Sequence, residues 1–168
     1  MTLTLILMRH AKSSWGDPLL DDIERPLNGR GHKSAAALGK WLREQEYIPQ
    51  EVIVSTARRS AETWSRMASK MLPSAQMRSE PALYLASPDT MLTILKGATA
   101  QTVMMIGHNP GCCAFAHMLA HTPADHARFE DCPTGATTVM TFQESAWSDI
   151  APGKGAVQAF TVPRDLLG

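Results

Sequence analysis

Thr2-Leu3-Thr4-Leu5-Ile6-Leu7-Met8 is a short apolar run that ends at once in Arg9-His10. Its length and its Leu, Ile and Thr content read as a buried strand. Two runs of the same kind follow, Glu51–Val54 (EVIV) and Thr102–Ile106 (TVMMI). Helical spacing fills the intervals. Arg30–Glu46 carries Ala35, Leu38, Trp41 and Leu42 on one face, and Arg58–Leu72 carries Ala61, Trp64, Met67, Ala68 and Met71. Pro88 opens a helix through about Lys96, since proline suits a first turn, and Pro110–His121 reads as another. Met77–Ala82 is a candidate short strand. Ala136–Phe142 and Ala156–Val162 close the chain as two strands joined over Gln143–Gly155. Strands alternate with helices and two strands come last. The expected architecture is a single three-layer α/β domain over residues 1–168. It has a mostly parallel central sheet with an antiparallel edge, helices on both faces and no large lid insertion.

Composition narrows the function. The 168 residues carry 16 Lys+Arg against 16 Asp+Glu, a balance that disfavours a broad nucleic-acid face or a polybasic membrane patch. No apolar run approaches the roughly 18 residues of a membrane span. The first residues lack the basic flank of a signal peptide. Three cysteines cannot form a closed disulfide set, so reduced thiols and a cytoplasmic setting are expected.

In a parallel α/β sheet, ligands bind beyond the carboxyl ends of the strands. The three strong strands end in Arg9-His10, in Ser55-Thr56-Ala57-Arg58-Arg59 and in Gly107-His108-Asn109-Pro110-Gly111. Two histidines and at least two arginines therefore converge on one sheet edge. Arginine offers a planar fork that matches phosphate oxygens, and histidine can act as nucleophile or proton carrier. The helix start at Pro110 adds backbone donors that favour an anion. Lys12–Asn28 is an aperiodic loop of a length that is usually functional.

These residues resemble the histidine phosphatase superfamily, in the form of its small SixA-type phosphohistidine phosphatases. Leu7-Met8-Arg9-His10-Ala11-Lys12-Ser13 is similar to the family signature. Ser55–Thr63 (STARRSAET) is similar to its second motif, Ser-x-x-x-Arg-x-x-x-Thr, and Gly107–Gly111 to its third. Asp22-Ile23-Glu24-Arg25-Pro26-Leu27, then Gly31, resembles the segment before the first helix. The resemblance implies His10 as phosphorylated nucleophile, with Arg9, Arg59 and His108 completing a phosphate pocket and no metal or organic cofactor.

Several residues keep two readings. Arg58 rivals Arg59, and the spacing to Thr63 favours Arg59. Arg25 is a phosphate ligand or a loop anchor paired with Asp22. Ser13, with Lys12 and Trp15, lines the pocket or lies on a solvated loop. Glu80 occupies roughly the region where many superfamily members hold a proton donor, or it is an exposed loop carboxylate. Cys113, His117 and His121, at i, i+4 and i+8, can in principle hold a metal. The apolar neighbours Phe115, Met118 and Leu119 favour a packed helix instead.

The expected activity is hydrolysis of a phosphorylated substrate through phospho-His10. The expected substrate is phosphohistidine on a protein partner, for example a histidine phosphotransfer domain in signal transduction. The alternatives are a small-molecule phosphomonoesterase or phosphoglycerate mutase-like enzyme, and a non-catalytic phosphate-binding module. Neither a nucleic acid nor a membrane is an expected partner.

Overall fold

The computed structural model describes residues 2–72 and 75–168. Strand β1 (Leu3–Arg9) leads through a long loop to helix α1 (Gly29–Glu44). Next come β2 (Glu51–Ser55), α2 (Arg58–Met71), β3 (Gln76–Glu80), α3 (Pro88–Lys96), β4 (Thr102–Gly107) and α4 (Gly111–Leu119). Strands β5 (Thr137–Phe142) and β6 (Ala156–Thr161) and a short α5 (Pro163–Leu167) close the chain. The six strands form one sheet in the order β3-β2-β4-β1-β5-β6. The first four are parallel, and β5 and β6 run antiparallel. This is the mixed three-layer α/β fold expected from the alternation of elements.

The apolar run in β1 is continuous because both of its faces are covered. Leu5 and Leu7 point to one side, where Ile53, Met105, Phe115 and Phe142 join α3 and α4. Ile6 and Met8 point to the other, where Val52, Val54, Leu38, Leu42 and Met67 join α1 and α2. Local chemistry sets the helix starts. The Asn28 side chain caps α1 by accepting from Gly31 N at 2.8 Å. Ser87 caps α3, with Pro88 at its first position.

The structure adjusts three sequence expectations. Helix α4 stops at Leu119, two residues before His121. There the chain turns extended, and His121 N donates to the Gly155 carbonyl at 2.7 Å. The five-residue α5 was too short to leave a period in the sequence. It seats Leu166 against the α1 side of the core. Finally, Cys113 and Cys132 are disulfide-bonded, against the expectation of reduced thiols, while Cys112 is free and buried. An odd cysteine count does not preclude one pair. The loop before β5 folds onto the first turn of α4 and brings the two Cα atoms to 5.7 Å. Among the described residues no helix is long and apolar enough to cross a membrane.

Helices α1 and α2 cross at Gly39. A Cβ there would lie 2.6 Å from the Met67 carbonyl oxygen, which is fixed backbone. Gly39→Ala should therefore force the helices apart at a cost of about 1–3 kcal/mol. For a chain of this size that lowers Tm by several degrees. An unchanged melting curve would show that the crossing is not tight.

Candidate active site

Sheet register carries the site. Arg9 pairs with Gly107 and Val54 with Ile106, so β1, β4 and β2 end side by side. The next residues, His10, His108 and the β2–α2 turn, meet at that edge around a cavity of about 390 Å³. The His10 and His108 ring centroids are 5.1 Å apart.

Each motif residue has a structural task. His10 Nδ1–H donates to the Ala11 carbonyl at 2.7 Å, which puts the ring's lone pair on Nε2. Arg59 Nε donates toward that Nε2 at 3.4 Å, and its Nη2 toward His108 Nδ1 at 3.4 Å. With Nδ1 accepting, His108 Nε2–H faces Ser55 Oγ at 2.6 Å. Thr63 ties α2 to the strand end. Its hydroxyl accepts from Ala11 N at 3.0 Å and donates to the Arg59 carbonyl at 2.7 Å. Arg59 is buried, whereas Arg58 lies in solvent and pairs with Glu62 at 3.2 Å. The pocket arginine is therefore Arg59, as the spacing to Thr63 indicated.

Arg9 donates through Nη1 to the Cys132 carbonyl at 3.0 Å, and its buried Nε has no partner among the described residues. A buried donor without a partner is costly, and a phosphate oxygen in the cavity is the kind of acceptor that would satisfy it. Arg25 makes the loop-anchor contacts of its second reading, bonding Asp22 Oδ1 at 3.1 Å and Ser13 Oγ at 2.8 Å, and also borders the cavity. Its guanidinium lies 3.5 Å from the centre of the Trp15 ring. Ser13, Lys12 and Trp15 all border the cavity.

Two residues at the centre escaped the sequence reading in this role. Asp22 accepts from Arg59 Nη2 at 2.9 Å, and its backbone carbonyl accepts from Arg59 Nη1 at 2.6 Å. The Tyr84 hydroxyl donates to the same carboxylate. The Asp22–Arg25 pairing was visible in sequence, but the bridge to Arg59 spans 37 residues, and only the folded loop makes it.

Glu80 stands outside the residues lining the cavity. Its carboxylate accepts from Ala82 N at 3.3 Å and caps the turn Pro81–Leu83. The start of α4 also differs from expectation. Its second and third amides are already bonded, Cys112 N to the His108 carbonyl at 2.8 Å and Cys113 N to Asn109 Oδ1 at 3.1 Å. They position Asn109 rather than waiting for an anion. The closely grouped metal-ligand side chains among the described residues are Cys113, His117 and Cys132, within 4.8 Å of one another. His121 is not in that group, because α4 ends before it.

The electrostatics favour an anion. Arg9, Lys12, Arg25 and Arg59 face the cavity against the single carboxylate of Asp22. The Tyr84 hydroxyl first, then Arg59 and Arg25, hold that carboxylate far below its usual range, so it stays ionised. Burial pushes His10 down to about 3, and the neighbouring His108, Arg59 and Arg9 add to the shift. Burial and then Arg59 bring His108 down to about 4. Both imidazoles are neutral at neutral pH, and a neutral imidazole is the form that can attack phosphorus.

Residues 5–84 match the family model of the histidine phosphatase superfamily (branch 1). The chain belongs to the histidine phosphatase superfamily. An uncharacterised protein of Mycobacterium tuberculosis is 33% identical over 164 residues, covering 94% of this chain and all of that protein. A structure from Nakamurella multipartitia, assigned to the SixA phosphohistidine phosphatases, is 28% identical. It superposes with a TM-score of 0.84 over 97% of each chain. The protein histidine phosphatase SixA complexed with tungstate shares the fold, with a TM-score of 0.78 at 20% identity over 98% of this chain and 99% of that one. The family's activity is phosphatase chemistry, and the signature residues of this member are those gathered at the cavity.

The neutral histidines make stability depend on pH. Below the unfolded value near 6.5 the unfolded chain takes up protons that folded His10 and His108 refuse until about pH 3–4. Stability is thus complete above pH 6.5 and falls as the pH drops through that window. At pH 5 the loss is about 2 kcal/mol per histidine, several degrees in Tm. His10→Ala should remove about half of the slope. A Tm unchanged between pH 7 and pH 5 would contradict the burial of neutral imidazoles.

Proposed function

We propose that this chain hydrolyses phosphohistidine on a protein partner through a phospho-His10 intermediate. The observation that carries the reading is the His10 ring itself, neutral, with Nδ1–H held by the Ala11 carbonyl and Nε2 turned to Arg59 and the cavity. In the first step the Nε2 lone pair forms the bond to phosphorus. The bond from phosphorus to the leaving nitrogen breaks, and the leaving imidazole keeps that electron pair. Arg9, Arg59 and Arg25 balance the charge on the equatorial oxygens, which is most of what phosphoryl transfer requires. In the second step water attacks phospho-His10 and gives its protons to solvent and phosphate. The His10 ring leaves as a neutral imidazole, because Nδ1 has kept its proton throughout.

The substrate class follows from two features. First, the carboxylate at the cavity, Asp22, is held ionised, and Glu80 caps a neighbouring turn, so neither is placed to donate a proton to a leaving alkoxide. An imidazole leaving group, with a pKa near 6.5, can depart already protonated and needs no such donor. Second, the cavity rim is open and apolar. Trp15 and Leu85 border it at 76% and 56% exposure. That rim suits contact with a protein surface, and a histidine phosphotransfer domain fits this description. The SixA likeness of the Nakamurella protein supports the same class. A cytoplasmic location accords with such a partner, and the chemistry uses no metal or organic cofactor.

A panel of phosphohistidine peptide, phosphoserine peptide and sugar phosphate, assayed with EDTA present, tests the reading. Phosphohistidine should be hydrolysed with the highest kcat/KM, and the chelator should change nothing. Arg59→Ala should lower kcat/KM on the order of 10²-fold or more, Arg58→Ala only slightly, and Glu80→Gln slightly on phosphohistidine. Preference for the sugar phosphate would move the assignment to the small-molecule phosphatases.

A further inference from the structure

We propose that Cys113 and Cys132 form a reversible thiol–disulfide site whose state sets the position of Arg9 in the phosphate pocket, with a low-molecular-weight disulfide as its oxidant. The inference rests on the reading of the cavity as a phosphate site.

The bond joins two segments that carry lining residues of that cavity, His108 and Asn109 before α4 and Thr134 before β5. Cys113 lies in the first turn of α4, immediately after His108 and Asn109. Cys132 lies in the loop before β5, and its carbonyl is the acceptor for Arg9 Nη1 at 3.0 Å and for Asn109 Nδ2 at 2.9 Å. Asn109 closes the circuit, since its Oδ1 accepts from the amide of Cys113 at 3.1 Å. Three residues further on, Gly135 N donates to the Arg9 and His10 carbonyls at 3.1 and 2.9 Å. One covalent link therefore clamps the loop that holds Arg9 onto the helix that follows His108. When it opens, the sulfurs must separate to van der Waals distance, about 3.5–4 Å. That motion is passed to the Cys132 carbonyl and so to the arginine. A displacement of about 1 Å in a site of this kind can cost up to 10²-fold in rate.

Both states have their polar groups provided for. In the disulfide-bonded structure Cys132 Sγ lies 3.2 Å from the Phe129 carbonyl and Cys113 Sγ 3.5 Å from the Glu130 carbonyl, so an acceptor stands beside each sulfur for the thiol formed when the bond opens. His117 Nε2 stands 3.8 Å from Cys113 Sγ on the exposed side of α4. That nitrogen is held by the Phe129 carbonyl at 2.7 Å. The exchange balances as dithiol plus RSSR giving the protein disulfide and two RSH. The Cys113 thiolate attacks one sulfur of RSSR and releases RS⁻, which takes up the proton that Cys113 lost. The Cys132 thiolate then attacks the Cys113 sulfur of the mixed disulfide and releases the second RS⁻, which takes up the Cys132 proton. In a reducing compartment a closely placed pair of this sort acts as a sensor rather than a permanent staple. The third cysteine does not compete. Cys112 is buried, which pushes its thiol up to about 12.

The test equilibrates the whole chain in glutathione redox buffers containing EDTA. Thiols are counted by alkylation after denaturation, and kcat/KM is measured on para-nitrophenyl phosphate. Inorganic phosphate affinity, by calorimetry, reads the coupling without turnover, so a failure of the phosphatase reading stays distinguishable. One free thiol is expected in the oxidised form and three in the reduced. Phosphate affinity and kcat/KM should each fall at least three-fold on reduction. Cys113→Ser and Cys132→Ser should hold the reduced values in every buffer, while Cys112→Ala should follow the wild type. The proposal is overturned if the bond forms with no change in affinity or rate, if it does not form, or if Cys113→Ser responds to redox as the wild type does.

Discussion

The guanidinium of Arg59 is a permanent positive charge taken out of water at the end of the central strands. Leaving such a group unpaired would cost several kcal/mol, so the surrounding chain is arranged to satisfy it. Asp22 supplies a carboxylate oxygen and a backbone carbonyl, while His10 and His108 turn acceptor nitrogens toward the remaining N–H groups. The same contacts impose order on the site. Because Arg59 takes hydrogen bonds to both rings, each imidazole must present a lone pair to it. The Ala11 carbonyl and Ser55 then take the opposite nitrogens, and both tautomers are fixed. On the proposed reading, a charge placed for phosphate thus also prepares the nucleophile.

Asp22 has a double consequence. It neutralises part of the cationic cluster, pairing with both Arg59 and Arg25. In doing so it is held ionised and gives up any part as a proton donor. A site so built handles leaving groups that carry their own proton. The charge arrangement and the exposed Trp15 and Leu85 are the two features on which the proposed substrate, a phosphorylated imidazole on a large partner, rests.

Much of this was legible in the sequence for a simple reason. Strand-forming runs ending in Arg9-His10 and Gly107-His108 must place those residues together if the strands are parallel, and the register of β1 with β4 does so. The interval from Ser55 through Arg59 to Thr63 selected the buried arginine, because Arg59 and Thr63 lie four apart on one face of α2, the face bonded to the chain just beyond β1. What was illegible depended on aperiodic chain. Asp22 lies in the loop between β1 and α1, and Tyr84 just after a single 3-10 turn. No periodicity says where such side chains point. Glu80 read as a possible acid from the family resemblance, but its carboxylate is used locally to cap the next turn. The Cys113–Cys132 pair was hidden by the odd cysteine count, since pairing depends on Cα separation in the fold and not on parity.

The central claim is that His10 Nε2 carries the phosphoryl group between the two displacements. Rapid alkaline quenching during turnover of a phosphohistidine peptide, followed by digestion and mass spectrometry, tests it most directly. Acid-labile phosphate should appear on the peptide containing His10 within the first turnover and be absent from His10→Ala. Steady turnover with no covalent phosphate on the chain, or phosphate found on His108 instead, would contradict the account.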